Sequence, residues 1–223
     1  PLTGVLGFLE IALERKHDMP DELRLLIEQA ASESDRMAEL LDTLLTQARL
    51  DGGAREAHLT KVRLRTAVDE VVTARRKHNT LFGGAHEFVV DVPHDIIVQA
   101  DIAMLKEVLE NLMSNAIKYS PRGGSIVLTA HEETVDGLER RAVLSIADQG
   151  VGIPHETRDH LFERFSRIES PLASEIRGSG LGLYLSRQLL EAMLGTIWLV
   201  QSEPGLGSTF AIALPLAPEA NRT

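Results

Sequence analysis

Cysteine is wholly absent from this chain of 223 residues. Disulfides, thiolate nucleophiles and zinc sites built on cysteine are thereby excluded, and a reducing compartment is compatible. No run approaches eighteen consecutive apolar residues, and the first residues lack the basic-then-apolar order of a secretory signal. The expectation is a soluble, cytoplasmic segment with no direct membrane contact, although the protein that carries it can still be membrane-anchored. Basic residues are also in short supply, 23 against 33 acidic, giving a formal charge of −10. That balance argues against general affinity for nucleic acid or an anionic membrane surface, so an anionic ligand must be held by local donors. No internal repeat is present. What remains is 43% hydrophobic and 25% charged, the composition of a globular protein.

The first fifty residues read as two helices with apolar spacing close to three and a half residues, the period of a bundle seam. Leu2, Leu6, Leu9 and Leu13 mark the first helix, and His17-Asp18-Met19-Pro20 breaks it. The second series runs Leu23, Ile27, Ala30, Ser34, Met37, Leu41, Leu44 and Ala48, in alternating steps of four and three. Pro20 suits a first helical turn, and Asp21 and Glu22 complement the positive end of the dipole. Two such helices cannot cover their own stripes, because Leu26, Leu40 and Leu45 widen the second one. Pairing identical hairpins into a homodimeric four-helix bundle closes the core economically; packing on the rest of the same chain is the lesser alternative.

The heptad is lost in Asp51-Gly-Gly-Ala-Arg-Glu-Ala-His-Leu-Thr60, which reads as a linker. Beyond it, strand and helix patterns mix. Strands are expected at 62–64, 87–92, 96–100, 125–132, 142–147, 196–201 and 209–214. Helices are expected at 65–78, from Asp101 as N-cap to near Tyr119, at 155–165 and at 181–194. The order suggests a mixed sheet covered by helices on one face. The expected domains are a hairpin at 1–52, a linker at 53–60, a second domain at 61–216 and a tail at 217–223.

Four short segments of the second domain can together build a nucleotide site. Asn111, Asn115 and Lys118 or Tyr119 share one face of a helix, opposite Leu105, Leu109, Leu112 and Ala116. They offer an amide oxygen for Mg²⁺, a cation for phosphate and a ring for a base; an ordinary polar surface has the same look. Asp148-Gln-Gly150-Val-Gly152-Ile153 follows a strand, where a carboxylate can accept from an adenine amino group and glycines admit close backbone approach, although Asp-x-Gly is also common turn chemistry. Gly178-Ser-Gly180-Leu181-Gly182-Leu183 leads into a helix, whose free N–H groups suit phosphate. Its spacing is not G-x-G-x-x-G, so a dinucleotide-type reading fails. Gly205-Leu-Gly207-Ser208-Thr209-Phe210 reads as a hairpin turn with Thr209 near the ligand. Between the second and third segments, the polar stretch from Ser166 to Arg177 has the composition of a mobile lid, whose arginines can meet phosphates.

In order and spacing these segments resemble the boxes of histidine kinases. Asn111–Tyr119 is similar to the N box, Asp148–Ile153 to the G1 box, Leu161-Phe-Glu-Arg-Phe165 to the F box and Gly178–Leu183 to the G2 box. The implied fold is an α+β two-layer sandwich with a mixed sheet, the Bergerat ATP-binding fold shared by gyrase, Hsp90, histidine kinases and MutL. The first fifty residues resemble the kinase dimerisation hairpin, with Met37–Asp51 similar to its second helix. The resemblance implies a sensor histidine kinase transmitter that uses Mg-ATP to phosphorylate a histidine and passes the group to an aspartate of a response regulator.

Residue by residue, it implies that Asn115 coordinates Mg²⁺, Lys118 contacts phosphate, Tyr119 flanks the base and Asp148 reads adenine. Asn111, Gly150, Gly152, Ile153, Gly178, Gly180, Leu181, Gly182, Leu183 and Thr209 complete the ATP site. Arg167 would face the γ-phosphate as the catalytic cation, and Phe162 and Phe165 would anchor the lid. Hydrolases of the superfamily carry a glutamate base where this chain has Asn111, a poor base. Glu110 is adjacent, but rotated about 100° around the helix. The phosphoacceptor pattern ends in Pro-Leu, which matches Pro1-Leu2 and places the histidine five residues before Pro1. The expectation is therefore that the chain as given binds Mg-ATP without phosphorylating itself. A hydrolytic ATPase of the same superfamily and a catalytically silent nucleotide-binding dimer are the alternatives.

Overall fold

The structure, a computed structural model, describes residues 56–81, 85–137, 139–166 and 180–218, together with Pro20, Leu23, Leu26, Ile27, Gln29, Ala30, Ser34 and Met37; of residues 78–81 only the backbone is described. The chain divides between Gly53 and Ala54 into two compact units. In the first unit every described residue from Leu23 to Met37 is helical, including the heptad positions Leu23, Ile27, Ala30, Ser34 and Met37. Leu23, Leu26 and Met37 are exposed. The other seam positions, Leu2, Leu6, Leu9, Leu13, Leu41, Leu44 and Ala48, lie outside the described residues.

The second unit runs β1 (Thr60–Arg63), α1 (Leu64–Leu81), β2 (His86–Asp91), β3 (Ile97–Ala100), α2 (Ile102–Lys118), β4 (Gly124–Val135), β5 (Glu139–Ala147), α3 (Gly182–Ala192), β6 (Thr196–Glu203) and β7 (Gly207–Pro215). Five strands form one mixed sheet in the order β2-β4-β5-β7-β6, parallel between β2 and β4 and antiparallel elsewhere. A parallel neighbour demands a crossover, and α2 lies in the one between β2 and β4. β1 and β3 form a separate antiparallel pair.

Strand alternation sorts the core. Leu144 and Ile146 on β5, with Ile126, Leu128, Ile212 and Leu214 on its neighbours, share one cluster with Val68 and Val72 of α1, Leu105 and Leu109 of α2, and Leu189 and Leu190 of α3. Val143, one residue out of phase, joins Ala211, Ala213 and Trp198 in a small cluster of its own. The three helices therefore cover one face of the sheet, as the element order suggests.

Helix α2 is cut to length by its caps. Asp101 Oδ1 accepts from the N–H groups of Ala103 at 3.0 Å and Met104 at 3.2 Å, satisfying two of the orphan donors of the first turn. At the other end the Tyr119 N–H donates to the Asn115 and Ile117 carbonyls.

One expected helix is different. The segment 155–165 forms only a 3₁₀ helix, His155–His160, followed by turns, with Phe165 at φ +62°. None of the six residues of the 3₁₀ helix is buried, so no apolar stripe holds a longer helix against the core. Leu161, just beyond it, is the first buried residue of the segment.

Two substitutions separate cap from core. Asp101→Ala should cost about 1 kcal/mol and Leu144→Ala about 2–5 kcal/mol. Urea unfolding followed by the single tryptophan, Trp198, measures both.

Candidate nucleotide site

α2 buries Met104, Leu105, Val108, Leu109, Leu112, Met113 and Ala116, which turns Asn111, Asn115, Lys118 and Tyr119 away from the packed side. The Asn111 amide donates from Nδ2 to Ser186 Oγ of α3 at 2.8 Å. Its Oδ1 fills the space beside Gly182, where a Cβ would collide with it. Gly182 is therefore required by the close approach of α2 to the head of α3. Asn115 is half-buried, and among the described residues its side-chain amide has no hydrogen-bond partner.

The carbonyl of Tyr119, at the end of α2, accepts from the Val151 N–H at 2.9 Å. A Cβ on Gly150 would strike that same carbonyl. The end of α2 and the loop after β5 are thus joined backbone to backbone. Asp148 stands at the start of this loop. Its Oδ1 accepts from the Gly150 N–H at 2.8 Å and the Ser208 N–H at 3.2 Å, whereas Oδ2 has no partner among the described residues. Burial pushes the Asp148 carboxyl above the ordinary carboxylate range, against the opposing pull of the two N–H groups.

Gly152 adopts φ +69°, and a Cβ there would meet the backbone of Glu203. Gly207, at φ +99°, lies equally close to the Asp148 carbonyl. Ile153 donates its N–H to Ser202 Oγ at 2.8 Å. The G1 segment is therefore laid against the β6–β7 hairpin.

At the head of α3, Leu181 is buried and caps without a side-chain hydrogen bond, and no acidic residue occupies the first turn. A helix start without a side-chain cap or an acidic first turn is of the kind that suits an anion. Leu183 lies within this first turn and packs against the main core. Gly180, at φ +70°, brings the chain against the backbone of Phe165 and Ser166. Gly178 and Arg167 lie outside the described residues.

Two readings need adjustment. Thr209 pairs with Ala147 and, by strand alternation, points away from the face on which Phe210 packs. It is Ser208 that reaches Asp148. Phe162 packs edge-on against Phe210, with centroids 6.4 Å apart, but Phe165 is 67% exposed and anchors nothing among the described residues. Ser202, Arg158 and Ser186 were not singled out in the sequence. A lone serine on a strand or an arginine in a short turn carries no spacing signal.

Mg²⁺ bound to a nucleotide takes oxygen ligands and keeps several waters, so it needs few protein groups. The unpartnered amide of Asn115 fits that demand. Among the described residues no three His, Asp or Glu side chains cluster to hold a metal by themselves.

Residues 100–218, which contain the whole arrangement, match the family described as histidine kinase-, DNA gyrase B- and HSP90-like ATPase. The chain belongs to this ATPase family. Residues 1–53 match the His Kinase A (phospho-acceptor) domain, and the two matches together make the chain a transmitter region of the sensor histidine kinase type. It is similar to the sensor-like histidine kinase SenX3 of Mycobacterium tuberculosis, 34% identical over 98% of this chain and 51% of that protein. It also resembles the sensor histidine kinase WalK of Bacillus subtilis, 28% identical over 98% of this chain and 35% of the relative. A crystal structure of full-length ShkA in complex with AMPPNP is 29% identical, with a TM-score of 0.69 over 99% of this chain and 44% of that one. The chain spans about half the length of SenX3.

The raised Asp148 pKa has a definite pH signature. The folded chain holds this proton more tightly than the unfolded one, so the stability it contributes is complete below pH 3.8 and is lost as pH rises through the higher folded value. Asp148→Asn keeps an acceptor for both N–H groups, and its urea midpoint relative to the parent should rise as pH increases above 3.8; a constant difference would contradict the shift. Gly152→Ala should cost more than about 1 kcal/mol in the same assay, since both its φ and its contact with Glu203 oppose a side chain.

Proposed function

We propose that this chain binds ATP with Mg²⁺ and, in the full-length protein, presents the γ-phosphoryl group to the histidine of the phosphoacceptor domain, from which it passes to an aspartate of a response regulator receiver domain. The observation that carries the reading is the division of labour at Asp148. One carboxylate oxygen is consumed by two backbone donors and the other is left for a ligand donor. An adenine amino group supplies such a donor. Tyr119, Gly150, Gly152 and Ile153 flank the base.

The phosphates lie toward the head of α3, where Gly178, Gly180, Leu181, Gly182 and Leu183 contribute backbone. Lys118 contacts phosphate, and Arg167, next after Ser166 in the sequence, faces the γ-phosphate. Asn115 holds Mg²⁺, which when bound neutralises phosphate charge. Asn111 orients the helix heads and supplies no base, since an amide cannot take a proton from water and its Nδ2 is already committed to Ser186. That disfavours the hydrolytic reading. Ser208 replaces Thr209 as the contact of the last segment.

Residues 1–52 form the dimerisation hairpin in this proposal, 53–60 the linker, 61–216 the catalytic domain and 217–223 the tail. Exposed Leu23, Leu26 and Met37 on a helical segment support a homodimer, because such a stripe needs an apolar partner. No helix among the described residues is long and apolar enough to cross a membrane, which is consistent with a cytoplasmic transmitter.

Calorimetric titration with a non-hydrolysable ATP analogue should show Mg²⁺-dependent binding, and Asn115→Ala should weaken it by about tenfold or more. Affinity unchanged by the substitution would remove Asn115 from the metal site. In the full-length protein, radiolabelled ATP should yield acid-labile phosphate on the chain. Sustained turnover of ATP without phosphoprotein would favour the hydrolase instead.

A further inference from the structure

Behind the Asp148 carboxylate stands a second layer of polar groups. Ser202, 2% exposed, uses every hydrogen-bonding site of its hydroxyl. Oγ accepts from the Ile153 N–H at 2.8 Å and donates to the Gly207 carbonyl at 3.1 Å. Its remaining contact is Ser208 Oγ at 2.9 Å. With the single Ser202 proton already given to Gly207, the Ser208 hydroxyl is the donor in that pair. Ser208 in turn delivers its backbone N–H to Asp148 Oδ1.

Arg158 closes the layer from the other side. Its Nη2 donates to the Ser202 carbonyl, and its Nε and Nη2 reach the Ile153 carbonyl at 3.4 and 3.3 Å. Glu203 lies 3.7 Å from the same guanidinium, and only 20% of the arginine side chain is exposed. One side chain therefore grips both the G1 segment and the end of β6.

We infer that Ser202 and Arg158 are positioning residues for base selection: they fix the β6–β7 hairpin against the G1 segment, so that Ser208 holds Asp148 Oδ1 and leaves Oδ2 aimed at the exocyclic amino group of the purine. The inference rests on the adenine reading of Asp148 and deepens it. Neither residue touches the base. If the hairpin shifts, the Ser208 N–H leaves Oδ1, the carboxylate is free to rotate, and a purine with a carbonyl in place of the amino group is no longer rejected by a fixed acceptor facing its own acceptor.

The test compares magnesium-loaded ATP and inosine triphosphate by calorimetry on the full chain, for the parent, Ser202→Ala and Arg158→Met, with urea midpoints measured in parallel. The parent should prefer ATP, and both variants should lower the ATP-to-inosine triphosphate affinity ratio by about tenfold, the scale of one hydrogen bond to a charged group. A merely structural role predicts lower urea midpoints and weaker binding of both nucleotides with the ratio preserved, and that result would overturn the proposal. Should Ser202→Ala fail to fold, Arg158→Met decides alone, because the arginine side chain is 20% exposed and its loss reaches the core least. A parent that binds both nucleotides equally would overturn the adenine reading itself, and this proposal with it.

Discussion

The backbone of residues 148–153 lies closer to the β6–β7 hairpin than any side chain would permit, and the candidate site depends on that contact. Gly152 abuts Glu203 from one side of the seam and Gly207 abuts Asp148 from the other. The seam is then sewn by hydrogen bonds from Gly205 to Val151 and from Asp148 to Ser208 along the backbone, and by Ser202 through its side chain. Glycine contributes here by absence of volume. Polar satisfaction does the rest, since a buried N–H or carbonyl left unpaired costs about 1–3 kcal/mol.

Placing a carboxylate in that seam works against the fold. Asp148 is held with a raised pKa because burial penalises its charge more than two N–H groups compensate. Among the described residues its Oδ2 has no partner. A group chosen only for stability would be neutral or fully bonded, so the imbalance at Asp148 reads as capacity reserved for a ligand donor. The head of α3 shows the same economy, with a helix start lacking both side-chain cap and acidic first turn.

α2 connects these features because it is used on two faces. Its apolar stripe seats it in the core, and rigidity follows from that packing, so the polar face carrying Asn111 and Asn115 is presented at fixed positions. Asn111 reaches α3 and Tyr119 reaches the loop after β5, so one helix sets the distance between that loop and the head of α3. Membership of the ATPase family agrees with this arrangement.

Much of this was legible in the chain itself. The period-two alternation around Leu144 and Ile146, the 3.6-residue stripe through Leu105, Leu109 and Leu112, and Asp101 as a cap are local signals, and the sheet, α2 and the helix-covered face follow from them. The glycine-bearing boxes were visible as well, because a missing side chain before a helix or after a strand is a sequence-level event. Tertiary structure alone decided what each glycine makes room for: Asn111 at Gly182, Tyr119 at Gly150 and Glu203 at Gly152. It also stopped the expected 155–165 helix at His160, for want of buried positions, and it put Ser208 rather than Thr209 against Asp148. Ser202 and Arg158 gave no advance sign, since the contacts that tie the seam, Ser202 to Ile153 and Arg158 to Ser202, join residues 49 and 44 apart in sequence. Local propensity is written in neighbouring residues, whereas hydrogen-bond partners of that kind exist only after the sheet has brought its strands together.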